Sequence, residues 1–175
     1  MHWTLASWGP AHAAAFAELA SASFREAYAS LHAPEDLDAY CAEHHGVHAT
    51  RALLADPANH CVVATDDEGP LGYYLLARTA PPIPGNDEAV ELEQINLRAR
   101  GYGSGLAKVL LEDCEAQARR AGAASLWLVV SDTNTRARAF YDRLGFQRIG
   151  VRPTLVVGRE RLASRLLLRR ISAAR

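Results

Sequence analysis

The chain has 175 residues, 49% of them apolar and 22% charged, with a formal net charge of −1. That is the balance of an ordinary globular domain, long enough to bury about 70% of its unfolded surface without disulfide or metal staples. A near-neutral chain lacks the basic face that nucleic-acid binding calls for. Its three cysteines, Cys41, Cys61 and Cys114, are scattered and lack metal-ligand spacing, which fits free thiols in a reducing cytoplasm. There is no basic-then-apolar leader and no long uncharged apolar run, so neither secretion by a signal peptide nor a membrane span is expected.

In chain order, residues 2–7 read as a short strand, and Gly9-Pro10 then opens a helix with Pro10 suited to its first position. Phe16, Leu19, Ser23, Phe24, Ala27 and Leu31 recur at helical spacing. A second helix starts at Pro34-Glu35-Asp36, where the helix dipole favours carboxylates, and ends near Gly46. A third covers residues 48–55. Residues 61–65 and 71–79 flank the turn Asp66-Asp67-Glu68-Gly69-Pro70 as a β-hairpin. A loop containing Pro81, Pro82, Pro84 and Gly85-Asn86 leads into a strand over residues 89–97. After a glycine run comes a helix over 106–121, stopped by Gly122. An all-apolar buried strand spans 126–130, a helix spans 135–144, and residues 146–157 and 162–171 form a final hairpin around Gly158. In the last arm, Leu162, Leu166 and Arg170 also fit a helical period. The order β-α-α-β-β-β-α-β-α-β-β predicts a single domain over residues 1–175 of mixed α/β class rather than a regular βαβ array.

The glycine run, Arg100-Gly101-Tyr102-Gly103-Ser104-Gly105-Leu106-Ala107, lies between a strand and a helix start. Glycines let backbone approach a ligand closely, and the first N–H groups of a helix have no internal partners, so the segment suits an anion such as a phosphate. It is not a Walker loop, because no register ends in Gly-Lys-Ser/Thr. It is not a dinucleotide fingerprint either: starting at Gly101 puts Leu106 in the last glycine place, and starting at Gly103 puts Lys108 there. A looser nest of successive N–H groups remains, and a plain tight turn with a helix cap is the plainer alternative.

The downstream segment carries more. Leu126-Trp127-Leu128-Val129-Val130, then Asn134-Thr135-Arg136-Ala137-Arg138-Ala139-Phe140-Tyr141, then Leu144-Gly145-Phe146, resembles the second half of the GNAT acetyltransferase signature. The glycine run resembles that family's Arg/Gln-x-x-Gly-x-Gly/Ala diphosphate loop in three registers. The length of the following helix selects the one with Gly105 and Ala107 as the small residues, which leaves Tyr102 at the Arg/Gln place, a departure. Ser23–Tyr28, Pro34–Tyr40, Gly72-Tyr73, residues 91–95 and Gly158 resemble the PaiA-type spermidine/spermine acetyltransferase branch.

The resemblance implies a GNAT fold: a twisted, mostly antiparallel sheet of about seven strands, splayed in the middle and flanked by about four to five helices. It implies acetyl-CoA as cosubstrate, held by Tyr102, Gly103, Ser104, Gly105, Leu106, Ala107 and Lys108, with Arg98, Arg100 or Lys108 supplying charge. Ile95, Asn96 and Leu97 would pair with the pantetheine arm as an added strand, or serve only as core. Asn134 would bond the cofactor, although Asn is also a favoured helix cap. Tyr141 would be the general acid, since a phenol with pKa near 10 stays protonated beside a leaving thiol with pKa near 8–9; without the motif it reads as a half-buried aromatic. Glu91, and next Glu93, would accept the amine's proton, unless they are solvated or hold a substrate cation. Strict alternation puts Glu91, Glu93, Ile95 and Leu97 on one face and Leu92, Gln94 and Asn96 on the other.

The expected reaction is direct acetyl transfer to an amine, with Cys114 packed mid-helix and no obvious nucleophile. Glu35, Asp36, Asp38, Glu43 and Glu88, with Glu91 and Glu93, suit a small cationic acceptor such as a polyamine. Transfer to a protein N-terminus, a lysine or an antibiotic is the enzyme alternative; a non-catalytic acyl-CoA sensor or interaction module is the alternative of another class. A homodimer is left open. His44, His45 and His48 are read as a solvated helix end or a cleft lining, and no metal is expected.

Overall fold

The computed structural model describes residues 2–82, 85, 88–157 and 160–171. Pro84, Asn86 and Gly158, placed in turns on sequence grounds, lie outside the described residues. The first strand, β1 (Thr4–Trp8), is followed by a 3-10 turn at Pro10–His12 and three helices, α1 (Ala13–Tyr28), α2 (Pro34–His44) and α3 (Val47–Ala55). The hairpin β2 (Asn59–Asp66) and β3 (Gly69–Ala77) leads to β4 (Ala89–Leu97) and α4 (Leu106–Arg120). Then come β5 (Ser125–Ser131), α5 (Thr135–Arg143), β6 (Gln147–Val157) and β7 (Glu160–Arg170). All seven strands form one sheet in the order β1-β2-β3-β4-β5-β7-β6, antiparallel except between β4 and β5. This is the mixed α/β architecture, with one splayed, mostly antiparallel sheet, that the sequence resemblance implies.

The strand alternation of β2 and β3 explains how both faces of the sheet are covered. Val62, Ala64, Tyr74 and Leu76 point to one face and meet Leu106, Leu110, Leu111, Cys114 and Ala118 of α4. Cys61, Val63, Tyr73 and Leu75 point to the other and meet Phe16, Leu19 and Ala20 of α1 and Leu54 of α3. The apolar run in β5 serves both layers: Leu126, Leu128 and Val130 join the α4 core, while Trp127 packs with Ala89 and Leu166. Leu166 and Leu167 of β7 likewise face opposite layers, which settles this arm as a strand although helical spacing fits it too. Leu31, expected on the first helix, lies beyond its end and is exposed, because α1 stops at Tyr28.

α1 is tied to the segment after β4 by charge. The Arg98 guanidinium lies 2.8 Å from the Glu26 carboxylate, which also accepts the Ala99 N–H. Burial alone would raise the Glu26 pKa, but Arg98 and the Ala99 N–H outweigh it and hold the carboxyl below its usual range. A depressed folded-state pKa stabilises the fold above the unfolded value, and that stability is lost as pH falls through the folded pKa. Glu26→Gln is therefore expected to cost about 1 kcal/mol at pH 7. In parallel thermal melts, the gap between variant and wild type should close as pH drops below about 4.

Candidate active site

β4 and β5 pair only where Ala89, Val90 and Glu91 face Ser125, Leu126 and Trp127. Beyond Glu91 the strands part: β4 stays on β3 as far as Leu97, and β5 stays on β7 as far as Ser131. The edge of β4 from Leu92 to Leu97 therefore has no described strand beside it. A bulge accompanies the parting. Leu75 pairs with Gln94 and Leu76 with Leu92, so Glu93 is the unopposed extra residue.

The bulge corrects the expected alternation. Leu92 shares the α4 face with Leu97, Ile95 and Val90. Gln94 and Asn96 are on the Tyr73 face, where the Tyr73 hydroxyl donates to Gln94 Oε1 at 2.8 Å and accepts from Asn96 Nδ2 at 3.0 Å. Glu91, opposite Ala77, falls on that face too, and Glu93 occupies the bulge itself. A strand read as straight puts each of these carboxylates one step out of phase.

In the glycine run, Gly103 and Gly105 adopt φ of +74° and +90°, a region that L side chains rarely enter. Gly101 is small for another reason: a Cβ there would sit 3.2 Å from the Leu71 side chain. Ser104 braces the turn from inside, its Oγ donating to the Gly101 carbonyl at 2.7 Å and accepting the Leu106 N–H at 3.3 Å. Leu106 itself is fully buried core. These two residues hold the loop's shape, whereas Gly103, Gly105, Ala107 and Lys108 line a cavity of about 420 Å³. Among the described residues, the N–H groups of Gly103, Gly105 and Ala107 donate to no carbonyl of the chain. Such a nest of unpaired donors at a helix start fits a diphosphate.

The same cavity is lined by Tyr102, by Ile95, Asn96 and Leu97 of β4, and by Asn134, Arg136, Phe140 and Tyr141. Of the arginines expected to supply charge, Arg98 is held by Glu26 and Arg100 by Asp66, and neither lines the cavity. Arg136, which sequence reasoning gave no role, does line it, as does Lys108. Asn134 caps α5, its Oδ1 accepting the Ala137 N–H at 3.0 Å.

A second cavity of about 410 Å³ opens on the other side of the gap. Ile95, Asn96, Asn134, Ala137 and Tyr141 belong to the walls of both. Tyr141 is buried, in edge contact with Phe146 at 5.3 Å, and burial pushes its phenol pKa up. The remaining walls include Phe24, Tyr28, Tyr40 and His45 together with Glu91 and Glu93. Phe24 and Tyr40 stack at 4.3 Å, and His45 meets Phe24 edge-on at 5.5 Å. Burial first, then the charges of His44 and Arg25, lower the His45 pKa to about 4, so it is neutral at pH 7. Burial raises the Tyr28 and Tyr40 phenols, Tyr40 to about 12, so both stay neutral. Partial burial of the carboxyl also raises the Glu93 pKa, although the residue as a whole is exposed.

Glu35, Asp36, Asp38, Glu43 and Glu88, expected to contribute to an acidic acceptor site, do not line this cavity. Asp38 pairs with Arg25 at 2.8 Å, and Glu43 lies 3.9 Å from His44. The acidic wall reduces to Glu91 and Glu93. The aromatic wall had a weak signal in sequence: Phe24 and Tyr28 are four residues apart on one helix face, and Tyr40 and His45 close the next helix. Arg136 had none, since it stands at a variable place in its motif. Among the described residues, no three His, Cys, Asp or Glu side chains come together as a metal set, and no helix is long and apolar enough to cross a membrane.

A splayed sheet with a helix-start nest and a tyrosine in the gap is the arrangement that the resemblance to acetyl-CoA-dependent acetyltransferases implies. The acetyltransferase (GNAT) family model matches residues 14–146, and the chain belongs to that family. Uncharacterized N-acetyltransferases of Mycobacterium tuberculosis and Mycobacterium bovis are 35% identical to it over 99 residues. That match covers 57% of this chain and spans only 60% of those relatives' length. Among solved structures, the PaiA N-acetyltransferase of Thermoplasma acidophilum in complex with coenzyme A superposes with a TM-score of 0.78. It is 17% identical and covers 97% of this chain and 99% of its own. YncA, described as a putative acetyltransferase of Salmonella typhimurium with its cofactor acetyl-CoA, gives 0.65 at 19% identity, over 100% of this chain and 97% of its own. At these identities the likeness is one of fold.

The left-handed turn at Gly105 makes a measurable demand. Gly105→Ala forces a Cβ into that region at a cost of about 1–2 kcal/mol, a fall in Tm of about 2–8 °C for a chain of this size. An unchanged melting curve would mean that the turn is not held in this form in solution.

Proposed function

We propose that this chain is an N-acetyltransferase that moves the acetyl group of acetyl-CoA to the amine of a small cationic acceptor. The observation that carries the reading is the meeting of two cavities at Tyr141 in the gap between β4 and β5, one lined by Lys108 and Arg136 and the other by Glu91 and Glu93. The residues fit the cosubstrate. Gly103, Gly105 and Ala107 offer N–H donors to its diphosphate, and the open edge of β4 from Leu92 to Leu97 offers peptide groups to its pantetheine amides. When bound, acetyl-CoA supplies an activated thioester and a thiol leaving group.

The acceptor cavity suits an ammonium ion. Neutral Phe24, Tyr28 and Tyr40 give the wall aromatic surface, uncharged His45 adds no repulsion, and Glu91 and Glu93 supply opposite charge. One of these carboxylates, directly or through water, takes a proton from the ammonium, and the freed nitrogen attacks the thioester carbon. The raised pKa of Glu93 brings it nearer neutrality than an ordinary carboxylate, which suits a proton acceptor. As the C–N bond forms and the C–S bond breaks, Tyr141 donates its hydroxyl hydrogen to the departing sulfur. Its raised pKa makes full transfer to a thiolate uphill, so its main contribution is a hydrogen bond from a phenol that stays protonated. Cys41, Cys61 and Cys114 are all buried and line neither cavity, which supports direct attack without an acetyl-enzyme.

A thiol-release assay across polyamines, amino acids, aminoglycosides and short peptides tests the reading. The small cations should be the best acceptors, and Tyr141→Phe should lower kcat about a hundredfold while leaving acetyl-CoA affinity within about twofold. Protein that binds acetyl-CoA but acetylates no member of the panel would overturn the enzymatic reading and leave a sensor.

A further inference from the structure

The diphosphate nest poses a problem of charge. Its loop holds two arginines nearby in sequence, but Arg98 is paired with Glu26 and Arg100 with Asp66. Lys108 lies on the cavity wall, yet its ammonium is 3.6 Å from Glu112 and its side chain is mostly exposed. Arg143 also lines the cavity, but it closes α5 about two helical turns beyond Arg136, away from the end that meets Tyr102 of the glycine loop. Tyr102 stands where a cationic or amide side chain is expected. Its hydroxyl is buried with no hydrogen-bond partner, and the Arg136 guanidinium lies 3.8 Å above its ring centroid. Among the described residues, Arg136 pairs with no carboxylate, and it shares the cavity wall with Tyr102, Gly103 and Gly105.

We propose that Arg136, delivered from the first turn of α5 and held over the Tyr102 ring, is the cation that clamps the cosubstrate's diphosphate above the glycine loop. A guanidinium stacked on an aromatic face keeps its N–H edge free for a bidentate contact with phosphate oxygens. Stacking also fixes a long side chain before the ligand arrives, so less freedom is lost on binding. Tyr102 is then a positioning residue, and its place in the loop is taken by an aromatic because the charge comes from another helix. The clamp also ties α5, which carries Tyr141, to the occupied loop.

This inference rests on the acetyl-CoA reading, and the two can fail separately. Calorimetric titration of the full chain with coenzyme A and with 3′-dephospho-coenzyme A measures both. Wild type should bind the two ligands; if it binds neither, the reading and the inference both fall. Arg136→Ala and Arg136→Gln should weaken both ligands by about tenfold or more, with melting curves near wild type. Tyr102→Phe, which keeps the ring, should stay within about threefold. Tyr102→Ala should approach the Arg136 variants, and the double variant Arg136→Ala/Tyr102→Ala should be no weaker than Arg136→Ala alone, because the ring acts through the guanidinium. Wild-type affinity in Arg136→Ala would overturn the inference and leave the acetyl-CoA reading standing. A loss seen with coenzyme A but not with the dephospho form would also overturn it, assigning Arg136 to the 3′-phosphate.

Discussion

The parting of β4 from β5 after Glu91 is the constraint on which the rest of the molecule depends. Two strands in the middle of a sheet would ordinarily satisfy each other's peptide groups, and a buried unpaired peptide group costs about 1–3 kcal/mol. Here a stretch of six residues on β4 gives up that pairing. The fold holds the gap open from both sides. β3 grips β4 along its other edge, with Tyr73 fastened to Gln94 and Asn96. β5 is paired with β7 along its whole length and so cannot follow β4 when it bends. The bulge at Glu93 supplies the bend, and α5 enters between the diverging ends with Tyr141 at the junction of the two cavities.

Because the gap runs through the sheet, its two mouths are lined by different layers and carry different charge. The mouth beside α4 and α5 has Lys108, Arg136 and helix-start N–H donors. The mouth beside α1 and α2 has two carboxylates among neutral aromatic rings. On the proposed reading, a diphosphate and an ammonium ion would be drawn to opposite sides of the gap, and the atoms that must react would meet beside Tyr141. The neutrality of His45 matters to this partition, since a protonated imidazole would offset one of the carboxylates.

The sequence made the architecture legible wherever a local signal coincided with a tertiary one. The strand-glycine-helix segment, the apolar β5 and the span from Asn134 to Phe146 each carry both. It was less legible where one residue changed phase or partner. An alternating pattern cannot reveal the extra residue at Glu93, because nothing in the identity of Glu93 marks it as unopposed; only the register with β3 does. The acidic residues of α2 have the composition of an acceptor site, but the helix turns Asp38 toward Arg25 and leaves the cavity to aromatic side chains. Leu31 extends the helical period by one more turn than the backbone follows.

The arginines beside the glycine loop illustrate how residues adjacent to a site in sequence can be engaged in holding its shape. Arg98 and Arg100 flank the glycine loop, which makes them the natural candidates, yet that same position makes them the residues best placed to fix the loop. Arg98 binds the Glu26 carboxylate on α1 and Arg100 binds Asp66 at the end of β2, so the two ends of the turn before Tyr102 are fastened to different parts of the sheet's surroundings. Ser104 fastens the interior of the loop. A loop held this way keeps its N–H groups converged without a ligand present, which is what a preorganised anion site requires. A similar economy applies to Asn134, where helix cap and cofactor contact looked like competing roles. The cap uses Oδ1, while the side-chain amide also hydrogen-bonds the Tyr28 hydroxyl, and Asn134 lines both cavities. One side chain can therefore start α5 and face the passage, because its two ends have opposite hydrogen-bonding character.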